Sequence, residues 1–188
     1  MIKIGITGSI SSGKSSFAKI LSKNKYPIFN ADKAVAEVYN DKFYLNKIIK
    51  AFKFKEKKKV KLQVKNILNK NSFSLKKLER IIHPVVRKKM KKFILMKKNK
   101  DILIFDIPLL VESNLMHLFD VIIFVDCKKS LRLKRFIKRG GDKSTFKILN
   151  KRQTPGRKKV KFCNYKVNNN KNLKDLKKNA KLIMSSYE

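Results

Sequence analysis

Acidic residues are scarce in this chain. Its 188 residues contain 13 Asp and Glu against 49 Lys and Arg, which gives a formal net charge of +36 at pH 7. So large an excess favours a partner with many phosphates, either nucleic acid or an anionic nucleotide. The basic residues do not gather into one stripe, however, and the sequence lacks both a basic–aromatic signature of nucleic-acid-binding domains and zinc-finger spacing. Lysine enrichment on solvated surfaces is therefore preferred over a nucleic-acid partner, and steering of a charged substrate stays open.

Cysteines and long apolar runs are also rare. Two cysteines, Cys127 and Cys163, are too few for a disulfide framework and lack metal-ligand spacing, so we expect a reducing cytoplasm as the location. The N-terminus does not join a charged region to an apolar run, so no signal peptide is expected. The longest apolar stretches, near 102–105 and 121–125, have the length of strands, so no membrane span is expected.

Residues 8–15, Gly-Ser-Ile-Ser-Ser-Gly-Lys-Ser, fit the G-x-x-x-x-G-K-[ST] pattern of a phosphate-binding loop. Gly8 and Gly13 allow backbone angles and close approaches that a Cβ would obstruct. Lys14 can reach the β- and γ-phosphates of a nucleotide, and the Ser15 hydroxyl can bind Mg²⁺. The pattern therefore predicts a site for a nucleoside triphosphate.

The flanking sequence supplies the setting that this loop requires. Residues 2–7 alternate like a short strand that leads into the loop, and apolar residues then recur at helical spacing from Phe17 to Leu21. The positive N-terminus of that helix would face bound phosphates. We interpret the segment as an ATP or GTP site. The residues predicted to contact the nucleotide here are Ser9, Ile10, Ser11, Ser12, Gly13, Lys14, Ser15 and Ser16.

Strand and helix patterns alternate along most of the chain. Short apolar strands are predicted at 26–29, 102–106 and 121–125, with a weaker one at 165–167. Such alternation, with right-handed crossovers, predicts an α/β fold with a parallel sheet flanked by helices. Between the strands, residues 41–100 show only helical patterns, with one helix beginning at Ser74 and another opened by Pro84. The region 41–100 is therefore predicted to be an inserted helical lobe.

Acidic residues follow three predicted strands. In open α/β sheets ligands lie beyond the carboxyl ends of the strands, where Asp32, Asp106 and Asp126 are expected. Asp32 could accept a proton from a hydroxyl that attacks the γ-phosphate, or it could only cap the next helix. Asp106 could orient Mg²⁺ or a substrate group, whereas Asp126 is interpreted as a simple strand end. The segment 106–112 is apolar for a loop, which indicates a firm turn packed beneath a ligand.

Five of the seven arginines lie in one short stretch of a chain that otherwise uses lysine. Arginine makes planar, two-pronged contacts with phosphate, so the cluster indicates phosphate binding. One further candidate is His83, which precedes Pro84 near a predicted helix junction. A lone histidine there is more often structural, with substrate contact as the alternative. The clustered arginines are Arg132, Arg135, Arg139, Arg152 and Arg157.

Five segments together resemble dephospho-CoA kinase, and the likeness extends over nearly the whole chain. They are GITGSISSGKSS at 5–16, Asn-Ala-Asp at 30–32, LERIIHP at 78–84, DIPLLVE at 106–112 and RLKR at 132–135. The resemblance implies ATP- and Mg²⁺-dependent phosphorylation of the ribose 3′-hydroxyl of dephospho-CoA, the last step of coenzyme A synthesis. It also implies a P-loop kinase-type core at 1–40 and 101–188, a CoA-binding lobe at 41–100 and a lid at 139–153.

The resemblance assigns roles to individual residues. Asp32 matches the catalytic base, Lys14 the phosphate-binding lysine and Ser15 the Mg²⁺-binding residue, whereas His83 and Asp106 match residues at the acceptor site. Arg135 and Arg139 match the arginines that meet ATP, and Arg139 is the third expected catalytic residue. The residues expected to bind the acceptor are Asp32, His83, Asp106 and Leu109.

This sequence departs from the family pattern at a few positions. Ser9 and Ser11 stand where the family usually has glycine, and Asn30 stands where it usually has Asp. An arginine usual before the His-Pro pair is replaced by lysines such as Lys61 or Lys65. The alternatives left open are a kinase of another nucleoside or of a polynucleotide end, and a nucleic-acid-binding NTPase.

Overall fold

The computed structural model describes residues 1–54, 59–60, 62–64, 67 and 72–188. Lys61 and Lys65 lie outside these residues. Backbone contacts divide the chain into two compact units. We call Met1–Asn30 with Lys97–Glu188 the sheet unit, and Ala31–Met96 the helical unit.

The sheet unit contains five parallel strands in the order β2-β3-β1-β4-β5. The predicted parallel sheet is therefore confirmed. β2 begins at Ile28 rather than at 26, since Pro27 has no N–H to donate to a neighbouring strand. The strands are β1 (Ile2–Gly8), β2 (Ile28–Asn30), β3 (Ile102–Asp106), β4 (Val121–Asp126) and β5 (Tyr165–Asn168).

The register of the central strands determines which residues meet at the carboxyl edge. Asp106 at the end of β3 pairs with Ile6 of β1 on one side and with Asn30 of β2 on the other. β1 then continues to Gly8, the first residue of the phosphate loop at 8–15, which pairs with Val125. The loop and the ends of β2 and β3 therefore lie at the same edge of the sheet.

Helices cover this sheet and enclose an apolar core. β1, β3 and β4 are buried on both faces, as expected for parallel strands rich in Ile and Val. Phe17 and Leu21 of α1 are fully buried, and α1 packs against α8. The helices of the sheet unit are α1 (Lys14–Ser22), α5 (Lys129–Lys138), α6 (Lys143–Arg152), α7 (Gly156–Lys159) and α8 (Leu173–Met184).

The helical unit has its own small core, formed by α2 (Ala31–Asn40), α3 (Lys42–Phe52) and α4 (Ser72–Met96). Val38, Ile48 and Ile82 are among the buried residues that pack together there. The unit begins at Ala31 and ends at Met96, whereas the sequence predicted a lobe at 41–100. The difference arises because α2 packs against both α3 and α4.

The prediction of separate helices at Ser74 and Pro84 is wrong. α4 is one continuous helix of 25 residues with Pro84 inside it. An interior proline removes a backbone hydrogen bond and costs about 3 kcal/mol. Ile82 and Val85, which flank the exposed Pro84, are buried in the helical unit, so packing on both sides offsets that cost. Across the part of the chain that the structure describes, no helix, α4 included, is both long and apolar enough to cross a membrane.

Candidate active site

The phosphate loop turns sharply between β1 and α1. Gly13 immediately precedes α1 with φ 95°, in the left-handed region that glycine adopts readily. A Cβ on Gly13 would collide with the side-chain amide of Asn169, and one on Gly8 would lie 2.5 Å from the carbonyl oxygen of Val125. Both glycines of the predicted pattern are therefore required by close contacts as well as by backbone angles.

Lys14 keeps its ammonium group within this loop. It is the first residue of α1, its side chain is only 8% exposed, and Nζ donates to the carbonyl oxygen of Ser9 at 3.0 Å. Ser15 and Ser16, in contrast, are exposed on the first turn. A buried cation beside the positive end of a helix is an arrangement that favours phosphate anions.

Asp106 joins three elements at the carboxyl edge of the sheet. Its Oδ2 accepts hydrogen bonds from Ser15 Oγ at 2.6 Å and from Asn30 Nδ2 at 2.9 Å. The residue is only 1% exposed, and its Oδ1 is buried without a hydrogen-bond partner among the described residues. The structure thus brings together both predicted metal-binding residues, Ser15 and Asp106.

The oxygen atoms of Ser15 and Asp106 suit an Mg²⁺ ion that also binds a nucleotide better than they suit a metal ion held by protein ligands alone. A buried carboxylate oxygen with no partner and a neighbouring hydroxyl are hard ligands, which Mg²⁺ prefers. Within the described residues, no group of three or more His, Cys, Asp and Glu side chains could hold a metal ion. Mg²⁺ typically keeps several waters and is bound by one or two carboxylates plus substrate phosphates. Ser15 and Asp106 therefore suit a cation that arrives with a nucleotide.

Arg135 lies behind the phosphate loop and helps to shape it. Its Nη1 donates to the carbonyl oxygen of Ser12 at 3.4 Å and to Cys127 Sγ at 3.3 Å, and Nη2 donates to the carbonyl oxygen of Asn169 at 3.1 Å. The Asn169 side chain donates to the same Ser12 oxygen at 2.7 Å. These contacts fix the loop just before Gly13.

Arg132 and Gln153 connect the loop to the predicted lid at 139–153. Arg132 Nη1 donates to Asn150 Oδ1 at 2.8 Å, and its guanidinium lies over the Phe146 ring. The backbone N–H of Ile10 donates to Gln153 Oε1 at 2.7 Å. Arg139, by contrast, is exposed at the C-terminal end of α5, and among the described residues its side chain has no hydrogen bond to the phosphate loop.

The segment after Asp106 forms a compact turn, as its apolar sequence indicated. We call residues 107–115 the acceptor loop. Leu110 is fully buried, Leu109 is half-buried, and the backbone N–H of Leu115 donates to the carbonyl oxygen of Leu110 at 3.0 Å. Thr7 Oγ1, just before the phosphate loop, donates to the carbonyl oxygen of Pro108 at 3.1 Å. The acceptor loop is thereby attached to the strand that carries the phosphate loop.

Asp32 and His83 both belong to the helical unit. Asp32 is exposed in the first turn of α2, which begins one residue earlier at Ala31. Asp32 therefore lies inside the first turn of α2 rather than before it, because β2 runs directly into α2. His83 is half-buried in α4, and burial lowers the pKa of its imidazole. Burial thus favours the neutral form of the His83 imidazole.

Sequence reasoning did not identify Asn169, Gln153 or Lys159 as contributors. Asn169 follows β5 at the carboxyl edge of the sheet, so the rule that selected Asp106 could have found it. Gln153 and Lys159 carried no comparable signal, since one is a single amide near a turn and the other is one lysine among 42. Their contacts depend on tertiary packing, which spacing in the sequence does not reveal.

Asn30→Asp tests whether Asn30 holds Asp106 in place without a cation. It replaces a donor by a second carboxylate next to Asp106. The loss of a hydrogen bond to a charged group, worth about 1.5–3 kcal/mol, should lower the melting temperature of the metal-free protein by about 3–10 °C. Thermal unfolding with and without MgCl₂ measures this effect, and added Mg²⁺ should recover most of the loss.

The control is Asn30→Ala, which removes the hydrogen bond without adding a charge. Its loss of stability should not respond to Mg²⁺. The deficit of Asn30→Asp should also shrink as the pH falls, because the repulsion ends once one carboxylate takes up a proton. Equal melting temperatures for Asn30→Asp and the wild type in the absence of Mg²⁺ would show that Asn30 does not position Asp106.

Sequence comparison places these features in one known family. The profile of the dephospho-CoA kinase family matches residues 2–175. A dephospho-CoA kinase from Bartonella quintana is 34% identical over 177 residues, covering 92% of this chain and 91% of the relative. Another from Fusobacterium nucleatum is 33% identical over 181 residues, covering 92% of both chains.

Solved structures agree with this assignment. A dephospho-CoA kinase from Campylobacter jejuni superimposes with a TM-score of 0.63 at 26% identity, over 99% of this chain and 97% of the other. A Thermus thermophilus protein (24% identity, TM-score 0.85, 100% and 98% covered) and the shikimate kinase of Aquifex aeolicus (18%, 0.57, 98% and 97%) share the fold. The predicted P-loop kinase-type fold is thus confirmed, and the chain belongs to the dephospho-CoA kinase family.

Proposed function

We propose that this protein transfers the γ-phosphoryl group of ATP to the ribose 3′-hydroxyl of dephospho-CoA, giving coenzyme A and ADP. Membership of the dephospho-CoA kinase family supports the substrate. The observation that carries the reaction type is the contact of Ser15 with Asp106, which brings the phosphate loop to the start of the acceptor loop. A nucleotide phosphate and an acceptor hydroxyl could meet there.

The phosphate loop would bind and orient ATP. Its backbone N–H groups and the N-terminus of α1 favour the β- and γ-phosphates. Lys14 adds a positive charge that stabilises the charge on the transferred group. Arg135 and Asn169 both donate to the Ser12 carbonyl oxygen. These contacts would hold the loop backbone so that the N–H groups of the following residues remain available to the phosphates. Phosphoryl transfer depends mostly on such positioning and charge stabilisation.

Ser15 and Asp106 would hold the cation of the nucleotide. When bound, Mg²⁺ supplies charge neutralisation on the β- and γ-phosphates. Asn30 would keep Asp106 oriented by donating to Oδ2, which leaves Oδ1 available. Asn30 would thus position Asp106, which binds the metal ion, and would not bind the metal ion itself.

Residues beyond the phosphate loop would serve the acceptor and the transferred phosphate. Asp32 follows β2 by two residues and would take the proton of the 3′-hydroxyl as a general base. His83 in α4 and Leu109 in the acceptor loop would contact dephospho-CoA. The lid at 139–153 would bring Arg139 to the phosphates when ATP is bound, as in other kinases whose lids close over substrate.

Arg139→Lys tests the role of the lid arginine. The exchange keeps the charge but loses the planar, two-pronged geometry. Losing one hydrogen bond to a charged group, worth about 1.5–3 kcal/mol, should lower kcat by about 10–10²-fold. Steady-state kinetics measure this, with Arg80→Lys as a control for the same exchange at an exposed arginine of α4. Unchanged kcat in Arg139→Lys would mean that Arg139 stays in solvent at the end of α5 and does not contact the phosphates.

A panel of acceptors tests the proposed function. Purified protein is incubated with ATP and Mg²⁺ and with dephospho-CoA, shikimate, adenosine or a 5′-hydroxyl oligonucleotide, and ADP release is followed. We expect turnover with dephospho-CoA and only background with the others. GTP in place of ATP shows which nucleotide is preferred. Preferred phosphorylation of the oligonucleotide would overturn the proposal and support a polynucleotide kinase.

A further inference from the structure

A buried ion pair joins the acceptor loop to the segment that follows the lid. Lys159 lies at the end of α7, its side chain is 0% exposed, and its Nζ lies 2.7 Å from Glu112 Oε1. The Glu112 side chain is 17% exposed, and its Oε2 is buried without a hydrogen-bond partner among the described residues. A buried charge pair is by itself weak evidence of a stabilising role, because the cost of desolvating both charges can exceed their attraction.

Both members of this pair also hold backbone groups near the proposed site. Lys159 Nζ donates to the carbonyl oxygen of Pro108 at 3.2 Å, the same oxygen that accepts from Thr7 Oγ1. Glu112 Oε1 accepts from the backbone N–H of Thr154 at 2.9 Å. The pair therefore links two positions of the acceptor loop, Pro108 and Glu112, to the residue that directly follows the lid and, through the shared Pro108 oxygen, to β1.

The neighbour of Thr154 makes the complementary contact. Gln153 accepts from the Ile10 N–H of the phosphate loop, so consecutive residues at the end of the lid contact the phosphate loop and Glu112. We propose that Glu112 and Lys159 form a positioning pair that fixes the C-terminal end of the lid and the acceptor loop in register with the phosphate loop. This proposal rests on the proposed kinase function.

The pair would affect catalysis through the positions of Asp106 and Leu109. Asp106 and Leu109 lie on either side of Pro108, whose carbonyl oxygen Lys159 holds. A displacement of about 1 Å in a group that positions substrate can reduce a rate by about 10²-fold. The pair would therefore act on kcat through Asp106 and the acceptor, while Arg135 and Asn169 hold the phosphate loop independently and keep ATP affinity nearly constant.

Two double variants separate positioning from plain stabilisation. Removing one partner leaves a buried uncompensated charge, whereas replacing both by uncharged residues is often neutral for stability. Glu112→Gln with Lys159→Met, the Gln–Met variant, keeps an oxygen acceptor for the Thr154 N–H but removes the Lys159 donor from the Pro108 carbonyl oxygen. Glu112→Leu with Lys159→Met, the Leu–Met variant, removes both the acceptor for the Thr154 N–H and the Lys159 donor to Pro108. The exposed pair Lys23 and Glu188, replaced by Met and Gln, is the control for loss of an ion pair.

Melting temperature, kcat and ATP affinity are measured for all three variants and the wild type. We expect the Leu–Met variant to melt near the wild type and to lose about 10²-fold in kcat, with the Gln–Met variant between them and the control unchanged. A variant that melts lower but keeps the wild-type kcat would overturn the proposal, as would the same kcat in all the folded variants.

Amide hydrogen exchange without substrates tests the pair independently of the kinase function. In the wild type, exchange at Thr154 and across the acceptor loop should be slow, and in the Leu–Met variant it should be at least about tenfold faster at a similar melting temperature. Equal exchange would overturn the positioning role. If the wild type itself fails to phosphorylate dephospho-CoA, the function proposal fails while this test still decides what the pair does.

Discussion

Lys14→Met is expected to lower kcat by about 10²–10³-fold, the loss typical for removing one group that stabilises charge in a transition state. Met keeps most of the length and volume of the side chain, which is largely buried, but it cannot stabilise charge on the phosphates. The carbonyl oxygen of Ser9 also loses a charged donor, at a cost of about 1.5–3 kcal/mol. Steady-state kinetics and thermal unfolding on one preparation separate these two effects.

Lys19→Met is the matched control for Lys14→Met. Lys19 lies on the same helix but is exposed, so its replacement should leave both kcat and the melting temperature close to those of the wild type. If Lys14→Met turned over at the wild-type rate in a folded protein, the segment at 8–15 would not be the catalytic phosphate site.

Asp32→Asn is expected to lower kcat by about 10²–10⁴-fold, the usual contribution of a general base. Asn is nearly the same size but cannot take the proton of the acceptor hydroxyl. Since Asp32 lies in the first turn of α2, loss of its charge beside the helix N-terminus should cost only about 0.3–1 kcal/mol of stability. ATP affinity should be unchanged.

Asp41→Asn shows what loss of charge at a helix start does by itself. Asp41 caps α3 by accepting from the N–H groups of Phe43 and Tyr44, and Asn caps a helix about as well. This variant should keep both its stability and its kcat. If Asp32→Asn also kept its kcat, Asp32 would serve only the helix terminus and the base assignment would be wrong.

The sequence alone predicts much of the nucleotide-binding half of the site. Gly8, Gly13, Lys14 and Ser15 are close in the chain, and their spacing encodes one loop geometry. The position of Asp106 followed from a general rule, since parallel strands end at the same edge of the sheet. Its contact with Ser15 does not follow from local spacing, although the sequence predicts both residues as Mg²⁺-binding residues.

Other parts depend on packing that a local pattern does not specify. Pro84 indicates a helix start in isolation, but buried neighbours on both sides carry α4 through it. Asn169 holds the Ser12 carbonyl from 157 positions away in the sequence. Lys159 cannot be distinguished from the other lysines until its complete burial against Glu112 is seen. Such contacts join residues that are distant in the sequence, so they can be identified only in the folded structure.

The most direct test of the proposed function is the identity of the reaction product. Wild-type protein is incubated with ATP, Mg²⁺ and dephospho-CoA, and the product is examined by mass spectrometry and ³¹P NMR, with Lys14→Met purified in parallel. The expected product carries one additional phosphate as a monoester on the ribose 3′-oxygen, formed with an equal amount of ADP and at a greatly reduced rate by the variant. Phosphate at another position, or ATP hydrolysis with no phosphorylated acceptor, would contradict a dephospho-CoA 3′-kinase.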